Sequence, residues 1–246
     1  MNEPIKTAMI LAAGLGRRMQ ARAADPPKPL TEIAGQSLLA RMMARLEAAG
    51  IDKIIINMHH KAEAIEAFAA QYDGRAQIVL SDERAALLET GGGVKKALPL
   101  LGDAPFLVAN GDILWREETP QLPRLMAAFE PQKMAALLLL AARATATGYD
   151  GAGDFHLLED GRLKRKSDAP APFIFAGVQI LTPSAFADAP EGAFSLNRIY
   201  DRAAARQALF GHVLDGAWMH VGTKQGRAAA DKIMQSPANP QPIHRW

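Results

Sequence analysis

The chain contains no cysteine in 246 residues, which excludes disulfides, thiolate catalysis and thiolate metal sites. It also lacks a marked charge excess. Lys and Arg number 28 against 26 Asp and Glu, a formal net charge of +2, so no global field recommends nucleic acid as a partner. Long apolar runs are missing as well. The longest, residues 134–142, has the length of a strand, far short of the ~20 residues of a bilayer-spanning helix. The polar stretch 1–7 is too short for a signal peptide, and the expectation is a cytoplasmic chain with no membrane partner. Two familiar phosphate loops are absent too. No Gly-Lys-Ser/Thr occurs, and the dinucleotide fingerprint lacks its third glycine where Met19 stands. No serine has nucleophile-elbow neighbours.

What remains is an ordinary globular composition, 49% hydrophobic and 22% charged, with a clear rhythm in its first half. Residues 7–12 form a short apolar run ended by glycine, suited to a central parallel strand. Leu38, Leu39, Met42, Met43 and Leu46 fall at helical spacing within 36–49, and Gly50 stops them. Strands are expected over 53–58, 76–80 and 105–110, and helices over 62–72 and 94–101, the last following a run of three glycines. Such alternation predicts an α/β fold with a mixed, mainly parallel sheet and helices on both faces. After Asp112 the rhythm changes. A helix is expected over 122–129, a strand over 134–142, and a hairpin whose arms 155–158 and 162–166 flank Glu159-Asp160-Gly161. Then come a strand over 173–181, a helix over 197–205, short strands over 209–214 and 218–221, and a closing helix over 223–234. No interdomain linker stands out. The reading is one domain over 1–235, with halves of about 1–112 and 113–235, and an irregular tail over 236–246.

The densest chemistry lies at Leu11-Ala12-Ala13-Gly14-Leu15-Gly16-Arg17-Arg18-Met19, followed by Pro27-Lys28-Pro29-Leu30. Gly14 and Gly16 bare the backbone so that N–H groups can approach a phosphate. Arg17, Arg18 and Lys28 add positive charge, Arg as a bidentate fork and Lys as a compact point charge. Pro26, Pro27 and Pro29 stiffen the segment that carries Lys28. A glycine turn followed by solvated arginines would read the same way if it stood alone. Asp112 follows the apolar run of residues 105–109, at the sheet edge where ligands of open α/β folds bind. A carboxylate there suits a hard cation such as Mg²⁺, although an Asx turn after Asn110-Gly111 is the plainer explanation of that residue alone.

Leu-Ala-Ala-Gly-x-Gly-x-Arg-Met joined to Pro-Lys-Pro-Leu resembles the signature of sugar-1-phosphate nucleotidyltransferases. Leu88-Glu89-Thr90-Gly91-Gly92-Gly93 resembles their nucleotide-base loop, and Asn110-Gly111-Asp112 their metal-binding Gly-Asp motif. Phe175-Ala176-Gly177-Val178-Gln179-Ile180 is similar to the strand that meets the sugar, and Trp218-Met219-His220-Val221-Gly222-Thr223 to the late motif that completes the site. Compact length and the Leu-Glu-Thr-Gly-Gly-Gly loop look most like N-acetylmuramate-1-phosphate uridylyltransferases of cell-wall recycling. They also resemble the short bacterial mannose-1-phosphate guanylyltransferases.

The resemblance implies a Rossmann-like nucleotide-diphospho-sugar transferase fold, with a nucleotide-binding half over about 1–112 and a sugar-side lobe over about 113–235. It implies a nucleoside triphosphate and a sugar 1-phosphate as partners. Arg18, Lys28 and Asp112 would act in catalysis. Leu11, Ala12, Ala13, Gly14, Gly16, Glu83, Thr90, Gly91 and Gly92 would hold the nucleotide, and Asn110, Gly177 and Lys166 the sugar phosphate. Asp112 and His220 would hold the metal, with Mg²⁺ expected. His220 stands where the family usually has an Asp ligand, so Mn²⁺ or Co²⁺ enters as an alternative. That departure also leaves open a module that binds nucleotide sugars without turning them over.

Overall fold

A computed structural model describes residues 4–15 and 26–236 of the chain. The first half runs β1 (Thr7–Leu11), β2 (Glu32–Ile33), β3 (Gln36–Ser37), α1 (Leu38–Ala48), β4 (Lys53–Met58), α2 (Ala62–Ala70), β5 (Gln77–Asp82), α3 (Glu89–Leu101) and β6 (Phe106–Asn110). The second half begins with β7 (Leu114–Arg116), α4 (Gln121–Ala127), β8 (Ala136–Ala142), β9 (Phe155–Leu157) and β10 (Leu163–Arg165). It ends with β11 (Phe173–Leu181), α5 (Asn197–Ala205), β12 (Leu209–Val213), β13 (Ala217–Met219) and α6 (Lys224–Gln235).

The main sheet has the order β10-β9-β11-β6-β1-β4-β5, with β8 paired to β11 and β12. Strands β6, β1, β4 and β5 run parallel to one another. At β11 the sense reverses, and β11 lies antiparallel to β6, β8 and β9. Alternation along β1 shows why helices cover both faces. Ala8 and Ile10 pack with Ile54, Ile56, Leu107 and Ala109 against Leu39, Met42, Met43 and Leu46 of α1. Met9 points the other way, with Ile55 and Val108, onto Val94, Ala97 and Leu101 of α3 and Ile199 and Ala203 of α5. The period of two in the strands and of about 3.6 in the helices thus yields the expected α/β layers.

Most element boundaries shift from expectation, and three of the shifts have a clear physical reason. The helix expected from residue 36 begins at Leu38, because Gln36 and Ser37 pair with Ile33 and Glu32. Ser37 caps it instead, its Oγ accepting from the Ala40 N–H at 3.1 Å. The helix expected to follow the glycine triplet begins at Glu89, so Gly91, Gly92 and Gly93 lie inside its first turns. The strand expected over 218–221 ends at Met219 and pairs with β7, which periodicity did not reveal. Three residues are too few to show a period. This β7–β13 ribbon shares a small separate core with β2 and α6, formed by Ile33, Leu38, Leu114, Met219, Val221 and Ala230. The core ties together the segments that follow Lys28, follow Asp112 and precede His220.

Candidate active site

A cavity of about 390 Å³ opens at the carboxyl ends of β1 and β6, where an open α/β sheet offers its ligand crevice. Leu11, Ala12, Ala13 and Gly14 form one wall, Lys28, Asn110 and Asp112 another, and Glu89, Thr90 and Ser195 close the far side. Beyond Gly14 the position of a missing Cβ meets nothing within 4 Å, so the backbone there is bare to the cavity. Gly16 and Arg18 lie outside the described residues.

Lys28 rides on a single 3-10 turn, Lys28–Leu30, which Pro27 precedes and the buried Pro29 anchors. Its Nζ stands 3.4 Å from Asp112 Oδ2. The two side chains are 24% and 42% exposed, so their mutual attraction is worth no more than about 1 kcal/mol. The fold therefore gains little from placing them together, whereas a charged ligand entering the cavity meets both. Sequence reasoning singled out each residue separately; the structure brings them into one ion pair.

The loop after β1 is anchored by a side chain of β4. The N–H groups of Ala12 and Ala13 do not face the cavity as free donors. Both donate to Asn57 Oδ1, at 2.7 and 3.3 Å. Asn57 Nδ2 in turn donates to Glu83 Oε1 at 2.7 Å. Glu83 is 1% exposed, and burial pushes its carboxyl above the ordinary range. It thus lies behind the cavity wall, not in it. Asn57 was missed because a single Asn at the end of an isoleucine-rich strand has no sequence pattern around it.

The glycine triplet is packed against another segment of the chain. Gly91 and Gly92 N–H groups donate to the Phe194 carbonyl at 2.7 and 3.1 Å. A Cβ on Gly91 would strike the Phe194 ring, and one on Gly92 the Gly192 carbonyl. Their bareness admits the 192–196 segment of this chain. Thr90 does reach the cavity while its Oγ1 accepts from the Leu196 N–H at 2.9 Å.

On the other side, Asn110 lines the cavity beside Gly177, which has φ +92° within an irregular stretch of β11. A Cβ on Gly177 would come 2.6 Å from Ile113 Cγ2 and 3.3 Å from Asn110 Nδ2, so both conformation and space demand glycine. Lys166 lies just past β10, exposed, with its N–H on the Asp154 carbonyl at 3.0 Å, and is not part of the cavity wall. His220 is also outside that wall. Its ring packs 6.1 Å from Trp218 and 6.4 Å from Tyr149, and its N–H donates to the Thr147 carbonyl at 2.8 Å.

Among the described residues no group of three or more His, Asp and Glu side chains is arranged to hold a metal ion. A closed protein cage for a cation is therefore not built among them. One accessible carboxylate at a cavity wall, as Asp112 supplies, fits Mg²⁺ in another way. That ion is commonly held by one or two carboxylates together with substrate phosphates and water. No helix among the described residues is long and apolar enough to cross a membrane.

Comparisons with known proteins agree with this geometry. N-acetylmuramate alpha-1-phosphate uridylyltransferase of Caulobacter vibrioides is 42% identical over 236 residues, covering 94% of this chain and 98% of that one. The protein of the same name from Neisseria meningitidis is 36% identical, over 88% of this chain and 93% of its own length. Among solved structures, HddC from Yersinia pseudotuberculosis, complexed with GMP-PN, superposes with a TM-score of 0.75 at 22% identity, covering 94% of this chain and all of that one; at that identity the likeness speaks for the fold. Residues 8–170 match the MobA-like NTP transferase domain. Bare loop, ion pair and relatives converge, and the chain belongs to the MobA-like NTP transferase family, as a nucleotidyltransferase.

Proposed function

We propose that this nucleotidyltransferase joins UTP to N-acetylmuramate 1-phosphate, releasing pyrophosphate, as a cytoplasmic step of cell-wall recycling. One observation carries the chemistry: Lys28 and Asp112, 3.4 Å apart, face a cavity floored by the bare backbone at Gly14. The names of the Caulobacter and Neisseria relatives support the choice of base and sugar.

In this reading an oxygen of the sugar phosphate attacks the α-phosphorus in line. The bond from that phosphorus to the bridging oxygen breaks, and pyrophosphate leaves with the electron pair. No covalent enzyme intermediate is needed, so orientation and charge stabilisation carry the rate. Gly14, with Gly16 and Arg18, would cradle the β and γ phosphates. Lys28 would neutralise charge growing around the α-phosphorus, on a turn stiffened by Pro27 and Pro29. Asp112 would hold Mg²⁺, which would supply charge neutralisation to the phosphates. Asn110 and the glycine backbone at Gly177 would receive the sugar. The chain would act as one unit, with residues 1–112 on the nucleotide and 113–235 on the sugar phosphate.

The test is pyrophosphate release from UTP and GTP, each offered with N-acetylmuramate, mannose and glucose 1-phosphates. Fastest turnover with UTP and N-acetylmuramate 1-phosphate supports the reading. Preference for GTP with mannose 1-phosphate would replace the assigned pair, and absence of release with every pair would overturn the activity.

A further inference from the structure

The buried pair Asn57–Glu83 has no part in the chemistry so far described, yet the N–H groups of Ala12 and Ala13 both turn toward it. Asn57, the penultimate residue of β4, is 2% exposed, and Glu83 is 1% exposed. Asn57 borders the cavity and Glu83 lies behind it, and two buried polar side chains there call for an explanation, because burial without partners is costly. Here every strong contact points in one direction. Asn57 Oδ1 accepts from Ala12 and Ala13, and Asn57 Nδ2 donates to Glu83 Oε1. Glu83 Oε2 receives the Leu88 N–H at 3.4 Å, on the residue that precedes α3. The backbone of Glu83 is fixed as well. Its N–H donates to the Met58 carbonyl at 2.8 Å, and its carbonyl lies 2.7 Å from His59 Nδ1, which must carry the proton there.

Gly93 completes the arrangement. A Cβ at that position would stand 2.7 Å from Glu83 Oε1 and 2.9 Å from Asn57 Nδ2. The third glycine of the triplet therefore makes room for this pair, and α3 can lie close against it. The same two side chains thus touch the loop after β1 and the segment entering α3, which are opposite walls of the cavity.

We infer that Asn57 and Glu83 are positioning residues for the transfer reaction, setting the loop at Ala12 and Ala13 relative to the start of α3. The inference rests on the proposed nucleotidyl transfer. Asn57 presents its oxygen to two backbone donors, and Glu83 fixes which way the amide points by accepting from its nitrogen. Without Glu83 the amide can turn over, and the loop loses its acceptor. Misplacement of a phosphate-holding loop by about 1 Å is enough to cost ~10²-fold in rate.

Reversal of the pair provides the test. Asn57→Asp keeps the oxygen for Ala12 and Ala13 but sets it against a carboxylate. Glu83→Gln removes the acceptor-only partner. The double variant Asn57→Asp/Glu83→Gln restores a donor facing an acceptor, and the amide oxygen introduced by Glu83→Gln can still receive the Leu88 N–H. Wild type and the three variants are compared below their melting temperatures, with separate kcat and KM for the triphosphate and for the sugar phosphate. Each single variant should lose about 10²-fold in kcat/KM for the triphosphate while KM for the sugar phosphate stays within about twofold. The double variant should return to within about tenfold of wild type. Asn57→Ala, which deletes the acceptor, should match the single variants. Folded single variants with wild-type constants would overturn the inference, as would a double variant no better than its parents or a loss confined to the sugar phosphate. A wild type that turns over no pair overturns the functional reading itself, and with it this role.

Discussion

The two halves of the sheet build their sides of the cavity by different means. In the parallel half, β1 and β6 run the same way and end at one edge, where charged residues meet: Asp112 two residues past β6, and Lys28 on the single turn that precedes β2. In the antiparallel half, β11 runs back past β6 and offers the side of a strand. There Gly177, outside the cavity wall, leaves room for Ile113 and for the amide of the cavity-lining Asn110. A parallel edge can therefore present charge without disturbing packing, because its loops carry little of the core. A strand that crosses the site has its neighbours on both sides, and substitution within it falls on the fold. Residues of the first kind should govern rate, and those of the second should govern stability and fit.

The sharpest test of the first kind is Asp112→Asn. The amide is nearly isosteric but uncharged, and it binds Mg²⁺ poorly. Metal-dependent turnover should vanish while circular dichroism and melting temperature stay near wild type, since the Lys28–Asp112 pair contributes no more than about 1 kcal/mol. Unchanged activity with unchanged metal dependence would move the cation elsewhere. Lys28→Ala comes next. Loss of charge stabilisation made mainly in the transition state should cost roughly 10²-fold or more in kcat, with stability shifted by less than about 0.5 kcal/mol. Near-normal turnover with the best substrate pair would remove Lys28 from the chemistry.

Gly177→Ala inverts the pattern. Its φ of +92° and the 2.6 Å approach of Ile113 Cγ2 should destabilise the protein by about 1–3 kcal/mol, measured by chemical denaturation. At temperatures where the variant stays folded, KM for the sugar phosphate should rise more than KM for the triphosphate. A stable variant with ordinary constants would show that β11 does not constrain the site, and the contrast between the halves would fail.

How much of this was legible in the sequence follows the same division. Apolar runs such as Ile54-Ile55-Ile56 and the helical spacing of Leu39, Met42, Met43 and Leu46 announce buried parallel strands and their cover, because burial on both faces leaves a strong pattern. Lys28 and Asp112 were legible through their motifs. The β7–β13 ribbon was not, since a strand of three residues, Leu114–Arg116, carries no period. Asn57 gave no signal because its partners lie 44 or 45 and 26 residues away, and such pairing exists only after the sheet forms. The glycine triplet was legible as a feature and misread in its place. Three glycines suggest a loop by propensity, but close packing against Phe194 and the Asn57–Glu83 pair holds them in α3.

His220 tests where the two halves meet, and its effect should be the smallest. It follows β13, whose partner β7 follows Asp112 by two residues, so the ribbon places its backbone near the carboxylate's own segment. Its ring, however, packs beside Trp218 and Tyr149, and a Cβ on Gly222 would come 2.6 Å from its Nε2. Imidazole is a poor ligand for Mg²⁺ and suits Mn²⁺ or Co²⁺ better. Mg²⁺ on Asp112, substrate phosphates and water requires no second protein ligand, so His220 is expected to influence the ion through a phosphate or a bound water. His220→Asp, assayed separately with Mg²⁺ and Mn²⁺, should then change the ratio of the two activities by a few-fold and leave both measurable. Direct ligation by His220 predicts a different result: wild-type activity favouring Mn²⁺ or Co²⁺, and a swing of well over tenfold toward Mg²⁺ in the variant. Indifference to the substitution under both metals would make His220 a packing residue for Trp218. The site's metal would then belong to the parallel half alone.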